Sequence, residues 1–455
     1  MLGVLCTAFL IAAGAAGGPS QYVPADSGGW PDWLAGPLRG IGLGLSSGGF
    51  QALMLAMCAS YLLVLFGARM LPTRVLAGAI VLTQLMIVLG PPLISQDVFG
   101  YLAFARLGAL HGLNPYSHFA AQAPADPVYG FVGWPFAHSP YGPLFTLGSY
   151  ATVPLGVAGS LWAMKLIALA SSLSATWLCT RAAERRGGSA NWTAAFVGLN
   201  PVLLVLALGG AHNDLIAIAL LSLALATLSS SPRRSVAAIV AGVGVKVTAG
   251  LALPFLVLQA RARHERLGRA ATALAGLAAL LAVAVVGFGP HALGFVSALG
   301  EQQELIATHS IPAETARLFG LDGTPGWWQH VFLAAFLVVL VVALWRVYRG
   351  ADWMLATGWS TLALLICTTH LLPWYAIWLL PLAAVGGDRR LRAATLLFCA
   401  YAVLIHLPLA NSLLSPGSGV ARLAPHPGVS FAVLGQRLEF TGLEVLHHTT
   451  LDLRW

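Results

Sequence analysis

VLAGAIVLTQLMIVLGPPLISQDVFGYLAFARLGALHGLNPY, residues 75–116, carries the pattern that decides the fold. The uncharged run 75–94 is as long as a helix needs to cross the hydrocarbon core of a bilayer. Just past its end comes Asp97, which opens an amphipathic, aromatic-rich stretch. A carboxylate at that depth is costly unless it pairs or takes part in chemistry. The same alternation of apolar run and polar connector recurs along the chain.

Of the 455 residues, 58% are hydrophobic and 9% are charged, against about 25% charged in a soluble domain. The chain therefore reads as an all-α, polytopic integral membrane protein. Its net charge of +8 does not indicate nucleic acid, because the basic residues are spread through short loops instead of forming a patch. Cys6, Cys58, Cys179, Cys367 and Cys399 all lie in apolar segments without a CxxC pair. They read as small buried hydrophobes, with neither a disulfide framework nor a metal-thiolate site. The first 17 residues are apolar and lack a basic leader, so a first membrane helix is expected there, not a cleaved signal.

Further apolar runs cover 49–67, 159–180, 190–208, 214–229, 270–288, 328–346, 353–371 and 391–410, with a short one at 374–385. Segment 144–158 is short and holds Pro154, and segment 234–260 is interrupted by Lys246, Gly250 and Pro254. Sixteen of the 22 arginines fall in one set of short loops, from Arg69 and Arg74 to Arg389, Arg390 and Arg392. The positive-inside rule makes that set cytoplasmic. The N-terminus is then cytoplasmic, and the connectors 95–143 and 289–327 and the tail 411–455 are extracytoplasmic. The alternation closes with about 11–13 membrane segments if 144–158 dips in from outside and 234–260 is a broken hairpin. Such breaks are tolerated at membrane depth only where protein covers them or they line a cavity, so both regions are expected to wall a site. Residues 1–410 read as one transmembrane domain.

Five stretches carry the chemistry. In the first, helical spacing over 97–111 places Asp97, Tyr101, Phe104 and Gly108 on one face. Asp97 is either a base facing a cavity or a helix N-cap. In the second, HGLNPY (111–116) and GWPFAHSPYGPLF (133–145), prolines and glycines shape a loop, and Tyr116, His138 and Tyr141 are candidate ligand contacts. In the third, LNPVLLVLALGGAHNDL (199–215), His212, Asn213 and Asp214 stand between two apolar runs, as a second wall or as caps. In the fourth, Lys246 sits within VAGVGVKVTAGLALPF (240–255), where it suits an anionic partner, either a lipid phosphate or a carboxylate such as Asp214. In the fifth, THLLPWYAIWLLPL (369–382), His370, Trp374 and Tyr375 fit a site or an aromatic belt. No HExxH, Walker A or GxGxxG motif argues for a zinc hydrolase or a nucleotide-binding domain, and no carboxylate cluster suggests a metal.

SQDVFGYLAFARLGALHGLNPYSH, HSPYGPLF, LNPVLLVLALGGAHNDL, KVTAGLALPF and HLLPWYAIWLLPL, in this order between about residues 75 and 385, resemble the actinobacterial polyprenol-phosphate-mannose-dependent α-1,6-mannosyltransferases. These are GT-C glycosyltransferases. The resemblance implies a GT-C-like helical bundle in the bacterial plasma membrane and an inverting transfer that needs no metal. It further implies a polyprenyl-phosphate sugar as donor and a glycolipid or lipid-linked glycan as acceptor. Asp97 matches the family's catalytic base; Gln96 precedes it where some GT-C relatives have a second acid. The departing lipid phosphate needs a cation, which Lys246, Arg106, His212 or His370 could supply. A polyprenyl-phosphate arabinose transferase and a lipid-linked sugar flippase are the alternatives.

Overall fold

The computed structural model describes residues 1–20, 22–23 and 28–405, and four short strands beyond them. The chain divides into two units, Met1–Val403 and Leu404–Trp455. In the second, Val429–Val433 pairs antiparallel with Gln436–Phe440, and Val445–Leu446 with Thr450–Leu451. The rest of the tail expected over 411–455 lies outside the described residues.

The first unit is helical. Ser47–Met70, Pro143–Arg185, Arg263–His291 and Gly326–Tyr348 are long and apolar enough to cross a membrane, and Ala190–Gly198 with Val202–Leu208 make a fifth such segment if the bent pair is one span. Leu2–Ala15, Thr73–Leu89, Asp214–Thr227, Val247–Leu258, Trp353–Cys367 and Pro373–Gly386 are shorter apolar helices. The polarity is inverted relative to a soluble bundle. Phe66 and Val286 are 88% and 89% exposed, while Gln84, Asn200, Asp214 and Lys165 are buried. In water so much outward apolar surface would drive aggregation; in lipid it is the required arrangement. This unit is all-α, and the protein is a multi-pass membrane protein.

The run 190–208, which reads as continuous, is interrupted, as are the segments around Pro154 and Lys246, each for a local reason. Ala190–Gly198 and Val202–Leu208 meet at 41° around Pro201, which has no N–H to continue the ladder. The carbonyls freed there are taken up by neighbours: Tyr61 OH donates to Phe196 O at 2.9 Å and Gln84 Nε2 to Gly198 O at 3.1 Å. Pro143–Tyr150 is parted from Gly156–Arg185 by the turn Val153–Leu155, which contains Pro154. Segment 234–260 breaks at Lys246, which is extended (φ −148°, ψ 122°) between Pro232–Val245 and Val247–Leu251. The chain folds back there, with Gly242 against Ala249 and Gly250 against Val243. Asp214–Thr227 packs against both Gly156–Arg185 and Pro232–Val245. Small residues let those backbones approach, as where Cys179 Sγ meets Ser222 Oγ at 3.2 Å.

Candidate active site

Two helix N-termini converge at the arginine-poor end of the bundle. Asp97 occupies the first turn of Asp97–Ala109, and Asp214 the first turn of Asp214–Thr227. Both carboxylates gain from the positive end of a helix dipole. Neither helix is held by the side-chain cap that the sequence allows. Gln96 and Asn213 are the N-caps, without side-chain cap bonds, and the Asp97 N–H donates to Ser95 Oγ at 3.1 Å.

Asp97 Oδ2 lies 3.3 Å from His212 Nδ1, with the Asp97 side chain 16% exposed and His212 fully buried. The His212 ring is stacked on Trp374 at 3.8 Å and 20°, and neither of its nitrogens makes a hydrogen bond. The imidazole is thus held beside the carboxylate by stacking, with its N–H off the line to oxygen. Burial pushes the Asp97 carboxyl up, but His212, Lys246 and Ser95 together outweigh it and hold it below the ordinary carboxylate value. At neutral pH Asp97 is ionised and partly open.

Asp214 is committed. Lys246 Nζ donates to its two oxygens at 2.7 and 2.9 Å, and Trp378 Nε1 donates to Oδ1 at 2.7 Å. Lys246 Nζ also stands 4.5 Å from the Tyr375 ring centroid and 5.3 Å from that of Trp378, an aromatic enclosure favourable to a cation. Tyr101 ties the two helices together: the Asn213 N–H donates to its hydroxyl at 3.3 Å, and the Tyr141 ring meets its ring edge-on at 4.9 Å. Burial first, and the Asp97 and Asp214 charges after it, push both tyrosine hydroxyls up, so they remain protonated donors.

The backbone feeding the site is strained. Ile94 and Ala211 have φ of 70° and 52°, a region costly for side chains with a Cβ. The two turns are joined where the Leu93 N–H donates to Gly209 O at 3.0 Å. The preceding Val202–Leu208 is π-helical, a widening that recurs at functional sites. The broken span is sealed from the other side, because the Gly142 N–H donates to Val245 O at 3.0 Å. A Cβ on Gly142 would lie 2.4 Å from Gly244 O, so only glycine permits that approach.

Asp97, Tyr141, His212, Asn213, Asp214, Lys246, Trp374 and Tyr375 therefore come together from five distant stretches. His370 stands beside the Leu305 backbone, within electrostatic reach of Lys246 and Asp97. Three other candidates stand elsewhere. Arg106 Nε is bidentate to Asp126 at 2.8 and 3.0 Å, with His111 Nε2 on the same carboxylate at 2.8 Å. Tyr116 donates to the Tyr141 carbonyl at 2.8 Å and packs on Phe288, one layer behind the site. His138 pairs with Glu301. Trp378 and Tyr101 also contribute, Tyr101 from the helix face it was expected to share with Asp97. Trp378 reads as interfacial belt, and its position three residues after Tyr375, on a shared face, was the available signal. Among the described residues, no group of three or more His, Cys, Asp or Glu is placed to hold a metal ion.

Residues 1–262 match the family described as alpha-(1→6)-mannopyranosyltransferase, N-terminal domain, and residues 324–434 match the MptB C-terminal domain. The chain is 30% identical to alpha-(1→6)-mannopyranosyltransferase A of Mycobacterium tuberculosis over 354 residues, 71% of this chain and 67% of that protein. It is 27% identical to alpha-(1→6)-mannopyranosyltransferase B of Corynebacterium glutamicum over 355 residues, 66% of this chain and 56% of that protein. The A protein of C. glutamicum is 31% identical over 179 residues, 38% of this chain and 36% of that protein. No solved structure matches. With its N-terminal 262 residues and its C-terminal part both matched, this multi-pass membrane chain belongs to the alpha-(1→6)-mannopyranosyltransferase family of glycosyltransferases.

Proposed function

We propose that the protein transfers mannose, with inversion, from a polyprenyl-phosphate donor to a glycolipid or lipid-linked glycan acceptor at an extracytoplasmic site, with Asp97 as general base. One observation carries the reading: of the two carboxylates in the site, Asp214 is saturated by Lys246 and Trp378, while Asp97 is partly open and outside any aligned hydrogen bond to His212. The acceptor oxygen attacks the anomeric carbon as Asp97 takes its proton, and the bond from that carbon to the phosphate oxygen breaks. A positioned base contributes roughly 10²–10⁴-fold.

The departing phosphate needs a cation. Lys246 has three N–H donors, of which Asp214 engages two. The third is available for phosphate, in a low-dielectric site where such a contact is strong. Arg106 is occupied by Asp126 and is a less suitable partner. A lipid tail also finds a fitting surface. Trp378, which touches Asp214, forms one wall of an open apolar groove whose other walls include Ile218, Leu221, Leu251, Leu364 and Leu382.

Membranes carrying the protein, given polyprenyl-phosphate [³H]mannose and acceptor, should release labelled glycolipid, and Asp97→Asn should not. Translocation without transfer would favour a flippase, and transfer of pentose alone an arabinosyltransferase. Activity should persist in EDTA.

A further inference from the structure

The connector between residues 95 and 143 exposes two aromatic rings. Trp134 is 59% exposed and Phe136 40%. The loop bearing them is pinned by its backbone: the Ala121 N–H donates to Pro135 O at 2.8 Å, the Ala137 N–H to Trp134 O at 3.2 Å and the Ser139 N–H to Pro115 O at 2.9 Å. This surface adjoins the base. A Cβ on Gly133 would lie 2.4 Å from Gln96 Oε1, so the residue before Trp134 abuts the residue before Asp97.

A polar edge borders the rings. His138 Nδ1 lies 3.1 Å from both carboxylate oxygens of Glu301, whose side chain is 53% exposed. The Phe119 ring bridges the two parts, with centroids 5.8 Å from Phe136 and 5.7 Å from His138. Rigid rings beside a half-exposed carboxylate match a pyranose, which presents a C–H face on one side and hydroxyls at its rim. They match hydrocarbon poorly, because Glu301 would there be desolvated without compensation.

We propose that Trp134, Phe136, His138 and Glu301 form a subsite for the sugar chain of the acceptor, stacking one pyranose on Trp134 while the next hydroxyl along reaches Asp97. This rests on the glycosyl-transfer reading given above. It makes Trp134 a specificity determinant for acceptors that already carry sugar.

The test is calorimetric titration of the detergent-purified full chain with soluble α-1,6-linked mannotetraose. Trp134→Ala should weaken binding about tenfold, equivalent to about 1.4 kcal/mol, Trp134→Phe should keep most of it, and Glu301→Gln should weaken it several-fold. In transfer assays Trp134→Ala should raise the acceptor KM and leave kcat and donor affinity unchanged. Wild-type affinity in both Trp134→Ala and Glu301→Gln overturns the subsite. If Trp134→Ala does not fold, wild-type affinity in Glu301→Gln is sufficient. Quenching of Trp134 fluorescence by brominated lipid but not by sugar also overturns it. Binding is read without turnover, so protein that binds mannotetraose through Trp134 yet moves no mannose retires the transfer reaction alone. Protein that transfers mannose with an unchanged acceptor KM in Trp134→Ala retires the subsite alone.

Discussion

Lys246→Met separates two roles that one ammonium can hold. The side chains of Lys246 and Asp214 are 14% and 1% exposed, so the substitution leaves an ionised carboxylate in a nearly dry setting with the Trp378 N–H as its remaining partner. Removing one member of a buried pair costs about 3–5 kcal/mol. At roughly 2 °C per kcal/mol, the lower end of the range for mid-sized domains, the melting temperature should fall by about 6–10 °C. Adding Asp214→Asn should restore most of that loss, because the uncompensated charge is gone. Donor binding reports the second role. A hydrogen bond to a charged group contributes about 1.5–3 kcal/mol, so loss of the phosphate contact should raise the donor Kd by about 10–100-fold. The double variant should recover stability without recovering donor affinity, and Lys246→Arg should keep part of both. The assay is thermal unfolding and donor titration on the same detergent-purified samples. An unchanged donor Kd with a lowered melting temperature in Lys246→Met would refute the phosphate role and leave a structural ion pair.

Asp97→Asn should reduce transfer by about 10²–10⁴-fold at constant donor affinity, since shape is kept and only the proton acceptor is lost; wild-type turnover in membranes removes Asp97 as base. Gly142→Ala should cost about 1–3 kcal/mol through the clash with Gly244 O, seen as a lowered melting temperature and impaired transfer. Burial pushes the Asp126 carboxyl up, but Arg106, His111 and the Val128 N–H hold it below the ordinary value. A depressed folded-state value means the contribution is complete above about pH 4 and is lost as pH falls toward that value. Between pH 5 and 3 the melting temperature of Asp126→Asn should therefore fall less than that of the wild type. A cysteine placed at exposed Ala125 should react with membrane-impermeant maleimide in intact cells; labelling only after lysis reverses the proposed topology.

The helical, membrane-embedded character was legible because it is a property of consecutive residues: an apolar run such as 328–346 needs no distant partner to be recognised. Where the runs break was legible only in part. Lys246, Gly250 and Pro254 marked the hairpin, but the bend at Pro201 depends on Tyr61 and Gln84 accepting the duty of satisfying freed carbonyls. The candidate residues were legible as unusual polar groups in apolar surroundings, whereas their pairings were not. Lys246 could be matched to a phosphate or to Asp214 from sequence, and the choice of Asp214 is made by two helices packing side by side. Arg106 shows the opposite failure. It looked free for a ligand because its carboxylate partner, Asp126, lies 20 residues away across a turn-rich loop that has no periodicity to read.

The three-part cluster of Asp214, Lys246 and Trp378 also constrains how the chain enters the bilayer. Lys246 follows Asp214 by 32 residues and Trp378 by 164. At about 5–20 residues per second of synthesis, the carboxylate waits roughly 2–6 s for its cation and 8–33 s for its indole. An unpaired aspartate at mid-membrane depth costs about 2.5–3.5 kcal/mol on insertion scales. Its place at the first residue of Asp214–Thr227 lets it remain at the water interface during that interval, while the thirteen uncharged residues after it enter. This end of the molecule is therefore completed late, by helices that close over an acid already standing at the membrane surface.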